Sequence, residues 1–240
     1  ASGFEYQYQV QGVVGSDIAS SSCSVINGPG GLVSYTPFLG NRPRDLAYDA
    51  EMDDLYVTES FSGEIQVLDS NLNLKRTIDT GLTNLRGIGY NSIMDLLLVS
   101  RVNSSLVTFV EPLTGVVLSS FPANTPDVTA ISYDPFEDDW LLFDTGANPV
   151  TNLRMEALEG AEGNPLGSIT PPQTSGLNLG GGIASLADGT LMSGVDSSGD
   201  ITSISQFTSF GFPLNFDMTL LEMGNSPTTL NNAVTGFEVV

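Results

Sequence analysis

Histidine is missing altogether from this 240-residue chain, which also holds a single lysine (Lys75), a single cysteine (Cys23) and a single tryptophan. Without imidazole there is no Ser–His–Asp or Cys–His relay, no histidine-ligated zinc and no imidazole general base. A lone cysteine excludes an intrachain disulfide. Its setting, "SSSCSVIN", reads as a strand in which Cys23 is a small apolar side chain. No apolar run approaches the roughly 18 residues of a spanning helix, which argues against membrane insertion. The opening "ASGFEYQYQV" has neither a basic nor an apolar leader segment, so a signal peptide is expected to be absent or already removed. No stretch carries a 3.6-residue apolar stripe, which excludes a helical solenoid.

Basic residues are scarce as well. Seven of them face 28 acidic ones, for a net charge of −21. The imbalance comes from missing Lys and Arg rather than added Asp and Glu. Such a field repels nucleic acid and anionic lipid. Sparse Cys and Lys, plentiful Ser, Thr, Asn and Gly, and the acceptor sequon at Asn103 point to an extracellular or cell-surface protein.

What the chain does contain is repetition. "RDLAYDAEMDDLYV", "LRGIGYNSIMDLLLV" and "VTAISYDPFEDDWLLF" align on Tyr48, Tyr90 and Tyr133, in steps of 42 and 43 residues. Seven residues after each tyrosine stand Leu55, Leu97 and Trp140; nine after stand Val57, Val99 and Leu142. A fourth copy, "GGIASLADGTLMSGVDSSGDITSISQF", aligns Ser185 with the tyrosines. Each unit predicts four short strands, in the first case 45–49, 54–59, 64–69 and 74–79. Four-stranded units of this length predict a β-propeller, a ring of blades stacked about an axis. The full units are about 43–83, 84–126, 127–175 and 176–226. The final "NNAVTGFEVV" reads as a first strand with nothing after it, and 1–42 supplies three strands without an inner one. The expected fold is therefore an all-β, single-domain propeller of five blades. The C-terminal strand (about 233–240) joins the N-terminal strands to close the ring; six blades is the alternative count.

The segment "LYVTESFSGEIQVLDSNLNLKRTIDTGLTNLRGI" resembles the YVTN-type repeat of extracellular and surface-layer propellers, and more loosely the NHL repeat. The pieces that match are "LYVT", "IQVLD", "RTI" and "LRGI", and the likeness is best over 43–145. It implies a propeller at a surface and carries no catalytic residues with it.

Candidate chemistry then rests on charge. "DAEMDD" (Asp49, Glu51, Asp53, Asp54) and "DPFEDD" (Asp134, Glu137, Asp138, Asp139) occupy the turn between a unit's first two strands and read as solvated turn residues. The triplet Gly180–Gly182 precedes a strand without the Lys-Ser/Thr of a phosphate loop and reads as tight packing. Eleven residues after the anchor, at the end of the second strand, stand Glu59, Arg101, Asp144 and Asp196. Four before it, at the start of the first, stand Arg44 and Arg86. In a propeller both positions emerge on one face near the axis. Arg42, Arg44, Arg86, Arg101 and Arg154, five of six arginines, fall in segments expected there. Two readings stay open. One is a ligand pocket in which the arginines grip a carboxylate or sugar hydroxyl and the acids hold Ca²⁺ or polarise water. The other is a set of ion pairs tying blades together. Phe61, Phe207, Phe210 and Phe212 read as glycan platforms or, preferentially, as packing between blades. The function expected is a non-catalytic binding or self-assembling module with a protein, a glycan or its own copies as partner and no cofactor, unless Ca²⁺. The alternative is a carboxylate- or calcium-dependent propeller glycosidase, lactonase or lyase.

Overall fold

The apolar alternation of each repeat is realised as a four-stranded antiparallel meander. The computed structural model describes residues 5–14, 17–26, 43–59, 61–123, 127–144, 154–159, 165–169, 178–185, 190–196, 201–208 and 213–219, with side chains described for 43–59, 61–123, 127–143 and 183–185. Strands β1 (Glu5–Val14) and β2 (Asp17–Ile26) form a hairpin. Blade one comprises β3 (Pro43–Asp49), β4 (Asp54–Glu59), β5 (Glu64–Leu68) and β6 (Leu74–Asp79). Blade two comprises β7 (Leu85–Asn91), β8 (Leu96–Arg101), β9 (Leu106–Val110) and β10 (Val117–Pro122). Blade three comprises β11 (Ala130–Asp134), β12 (Asp139–Asp144), β13 (Arg154–Glu159) and β14 (Pro165–Ile169). Blade four comprises β15 (Asn178–Ser185), β16 (Thr190–Asp196), β17 (Ile201–Thr208) and β18 (Pro213–Thr219). Within each blade, strands adjacent in sequence are adjacent in space.

Period-two alternation sends the side chains of blade two to both neighbouring blades. In β8, Leu97 and Val99 enter a core with Tyr56, Ile65 and Val67 of blade one, whereas Leu98 enters a core with Ile131, Trp140 and Leu142 of blade three. Each such side chain, fully buried, contributes about 1.5–3 kcal/mol. Trp140 lies 5.2 Å from the Tyr133 ring and 5.9 Å from that of Phe109. The first strands run side by side in the order β3, β7, β11, β15. They approach closely enough that a Cβ on Gly89 would meet Ile131 Cγ2 at 2.9 Å, which explains the small residue in "RGIGY". Blades stacked on both faces around adjacent first strands make a β-propeller.

The first strand carries a bulge near its start, between Pro43 and Leu46, between Leu85 and Ile88, and between Leu179 and Ile183. A hydroxyl from the second strand fills it. Ser100 Oγ accepts from Gly87 N (2.8 Å) and donates to Val128 O of the next blade (2.8 Å). Thr58 does the same between Asp45 N (3.2 Å) and Arg86 O (2.5 Å). Gly180–Gly182, expected ahead of a strand, lie within the bulge of β15. Segments 31–39 and 231–240, on which the shared blade and ring closure depend, lie outside the described residues. No helix among the described residues is long and apolar enough to cross a membrane.

Candidate functional site

The two ends of the blades are built differently. At the turn between first and second strands, one device recurs three times. Asp49, Asn91 and Asp134 each turn Oδ1 back onto the backbone N–H groups two and three residues ahead, at 2.8–3.4 Å. The anchor tyrosines donate to an aspartate five residues on: Tyr48 to Asp53 (3.0 Å), Tyr90 to Asp95 (3.0 Å) and Tyr133 to Asp138 (2.7 Å). These aspartates adopt φ of 53°, 52° and 55°, the left-handed region that Asp tolerates better than most residues.

The acidic turns are therefore architecture, and reading them all as solvated needs correction. Glu51, Glu137 and Asp138 are exposed, but Asp49, Asp54 and Asp134 are buried, because the first and last residues of the turn already belong to the strands. Asp54 forms ion pairs with Lys75 and with Arg76 Nη2 (2.7 Å), both from β6. Burial works against its charge, but the bonds and charges of Arg76 and Lys75 prevail and hold its carboxyl below the ordinary value.

On the axis stands a residue that the repeat alignment passed over. Asp45 is 1% exposed, and its Oδ2 accepts from Ile88 N (2.9 Å) and Ile131 N (3.1 Å). One carboxylate thus joins the first strands of three successive blades. Its counterparts in the other repeats are Gly87, Ala130 and Gly182.

The opposite end gathers the residues singled out by spacing. Register sets Pro43 opposite Glu59, Leu85 opposite Arg101, and Asn178 opposite Asp196, so each second strand ends beside the start of its first. Asp144 ends β12 opposite Arg154. Arg44 and Arg86 lie in the bulges of β3 and β7. Glu59 is buried, while Arg44, Arg86 and Arg101 are half-buried. Arg86 Nη1 meets Asp127 Oδ2 at 2.6 Å, tying blade two to the lead-in of blade three. Arg101 Nε is buried without a hydrogen-bond partner. Phe61, expected preferentially in packing, is 74% exposed two residues beyond Glu59, because its φ of 67° turns it out of the sheet. Phe207 falls in β17; Arg42, Phe210 and Phe212 lie outside the described residues. Among the described residues, no three His, Cys, Asp or Glu side chains are placed to hold a metal ion.

No protein-family model matches the sequence, and no curated relative does. Solved structures do. The chain is similar to Kuenenia stuttgartiensis hydrazine synthase at 11% identity and a TM-score of 0.53, covering 78% of this chain and 51% of that one. It is similar to a chain of a nidogen/laminin complex at 16% identity and a TM-score of 0.53, covering 83% and 68%. It is also similar to the Myceliophteria thermophila Cps50 (Swd1) β-propeller domain, at 10% identity and a TM-score of 0.47 over 77% and 57%. The chain thus spans about half the length of the hydrazine synthase chain. At such identities the likeness is one of fold alone.

Proposed function

We propose that this chain is a non-catalytic extracellular or cell-surface propeller that acts as a binding module, through the end bearing Arg44, Arg86, Arg101, Glu59, Asp144 and Asp196. One observation carries the reading: guanidinium groups and an outward aromatic stand at this one end of the blades. Arg44, Arg86 and Arg101 are half-buried rather than sunk, and Phe61 projects beside Glu59. Planar donors next to an exposed ring suit a carboxylate-bearing peptide or a glycan. Elsewhere, Asp45 joins three first strands, Asp54 pairs with β6, and Asp49 and Asp134 cap their own turns. The nidogen/laminin structure is of a protein–protein complex, which favours a protein partner. The surface location rests on composition, on the sequon at Asn103, which is exposed, and on the resemblance to surface-layer repeats.

The test is a printed array of peptides and glycans probed with the protein and with its Arg44→Ala and Arg101→Ala variants, with melting temperatures measured alongside. Loss of binding with unchanged melting supports the reading; loss of melting temperature with binding retained assigns the arginines to inter-blade ties. Sedimentation velocity over a dilution series, with and without Ca²⁺, distinguishes a partner-binding monomer from a self-assembling subunit. The competing reading, a carboxylate- or calcium-dependent enzyme, has in its favour that Glu59, Asp144 and Asp196 each end the second strand of a blade. It predicts glycoside or lactone turnover that vanishes in Glu59→Gln.

A further inference from the structure

Blade one shows what its acidic turn holds. Lys75 bulges out of β6 between the Val67–Arg76 and Leu68–Leu74 pairs. Its Nζ donates to the carbonyls of Met52 (2.9 Å) and Asp53 (3.2 Å) and pairs with Asp54. Blade three repeats this turn, with Asp134 capping it as Asp49 does, and with Asp138 in the backbone conformation and tyrosine bond of Asp53. Glu137, Asp138 and Asp139 hold the places of Met52, Asp53 and Asp54. The outer strand repeats the bulge too, between the Ala157–Gly167 and Leu158–Pro165 pairs, but its bulged residue is Leu166, and Gly167 stands where blade one has Arg76. The carboxylate is kept and the cation is gone.

Among the described residues, no other basic side chain stands at this turn. Of the seven, Lys75 and Arg76 serve blade one. Arg44, Arg86 and Arg101 stand at the far end of their blades, Arg42 directly precedes β3, and Arg154 stands opposite Asp144 at the other end of β12. The consequence is visible in the polar atoms. Asp134, 1% exposed, leaves Oδ2 without a hydrogen-bond partner, and Asp139, directly opposite on β12, leaves a buried Oδ1 without one. Glu159 continues the same cross-strand row on β13. Like charges directly opposite one another are destabilising, and the register sets Asp134 directly opposite Asp139.

We propose that this turn of blade three is an ammonium site for a lysine side chain of a partner protein, with the Asp139 carboxylate as counter-ion and the carbonyls of Glu137 and Asp138 as acceptors. Phe136, 66% exposed at the tip of the turn, offers apolar surface to the lysine stem. A second copy of this chain is a poor source, since its only lysine is already used. Burial, with Asp134, Glu137 and Asp138 adding to it, pushes the Asp139 carboxyl up to about 6, and a bound ammonium reverses that. The site lies at the opposite end of the blades from Arg44, Arg86 and Arg101 and does not depend on them.

Isothermal titration with a tetralysine peptide, against its Nε-acetylated form, tests this. The unmodified peptide is expected to bind and the acetylated one not to. Asp139→Asn is expected to weaken binding by about tenfold or more without lowering the melting temperature. Leu166→Lys, which restores the blade-one arrangement in cis, is expected to weaken it comparably while raising the melting temperature. Equal binding by Asp139→Asn would mean general attraction to a chain of charge −21 and overturns the proposal. Failure of tetralysine to bind the unaltered protein overturns it too. So does Ca²⁺ alone binding with the same Asp139 dependence and displacing the peptide, which makes the site a metal site.

Discussion

Replacing Asp45 by alanine removes a carboxylate that joins three blades. Two amides, Ile88 N and Ile131 N, then lose a charged acceptor in a place that water does not reach. A hydrogen bond to a charged group is worth about 1.5–3 kcal/mol, and an orphaned buried donor costs about 1–3 kcal/mol. The two overlap, so a total loss of about 3–5 kcal/mol is expected. At about 2.1 cal/mol/K of unfolding entropy per residue, the chain unfolds with about 0.5 kcal/mol/K, which converts the loss to about 6–10 °C of melting temperature. Circular dichroism during heating reads the global effect. Amide exchange at Ile88 and Ile131 reads the local one and should accelerate ahead of neighbouring strand amides. Asp45→Asn should fall between, since its carboxamide oxygen accepts without charge. A loss below about 1 kcal/mol in the alanine variant would refute the view that the axis is held by this side chain.

Two other substitutions divide by sign. Asp54→Asn breaks a buried ion pair and is expected to cost about 2–3 kcal/mol at neutral pH, whereas Asp139→Asn at the equivalent position removes an uncompensated charge and is expected to stabilise by about 1–2 kcal/mol, roughly half of what its pKa shift implies, because the group is half-buried. Because the Asp139 carboxyl is raised from 3.8 to about 6, its penalty is absent below the ordinary value and complete above about 6. Stability measured in denaturant should therefore fall from this source as pH rises between those values, and the dependence should flatten in Asp139→Asn. The Asp54 carboxyl is lowered, so its contribution is present above the ordinary value and lost as pH falls through its folded value. Gly63→Ala places a Cβ 1.8 Å from Leu82 O, so the turn or the 80–85 linker must shift, and chemical denaturation should show a loss of about 2 kcal/mol or more; a neutral result would mean that the linker is not packed on that turn.

The repeat was legible because its determinants are local. Tyrosine spacing, β-branched runs and Ser/Gly turns placed β3–β6 to within about two residues at each end. Charge placement at the blade ends was legible for the same reason, since topology converts a sequence offset into a face. Pairings between blades were not legible. Asp45 stands three residues before Tyr48, where the other repeats carry Gly or Ala, and that mismatch was the available signal. The Tyr-to-Asp interval of five residues also recurs three times in plain view, yet its meaning depends on a left-handed aspartate that only the folded turn reveals. Asp127 as the partner of Arg86, and Lys75 as that of Asp54, depend on which strand bulges and which linker crosses, and no pattern of hydrophobicity encodes that.

The central claim is that a partner is held at the arginine-bearing end by a module that does no chemistry. Hydrogen–deuterium exchange on the complex with an array-selected peptide or glycan tests it most directly. Protection is expected at 43–46, 59–64, 85–88 and 101–105, with the ligand recovered unaltered. Protection confined to the turns at 50–53, 92–95 and 135–138, or a ligand recovered cleaved, would contradict it.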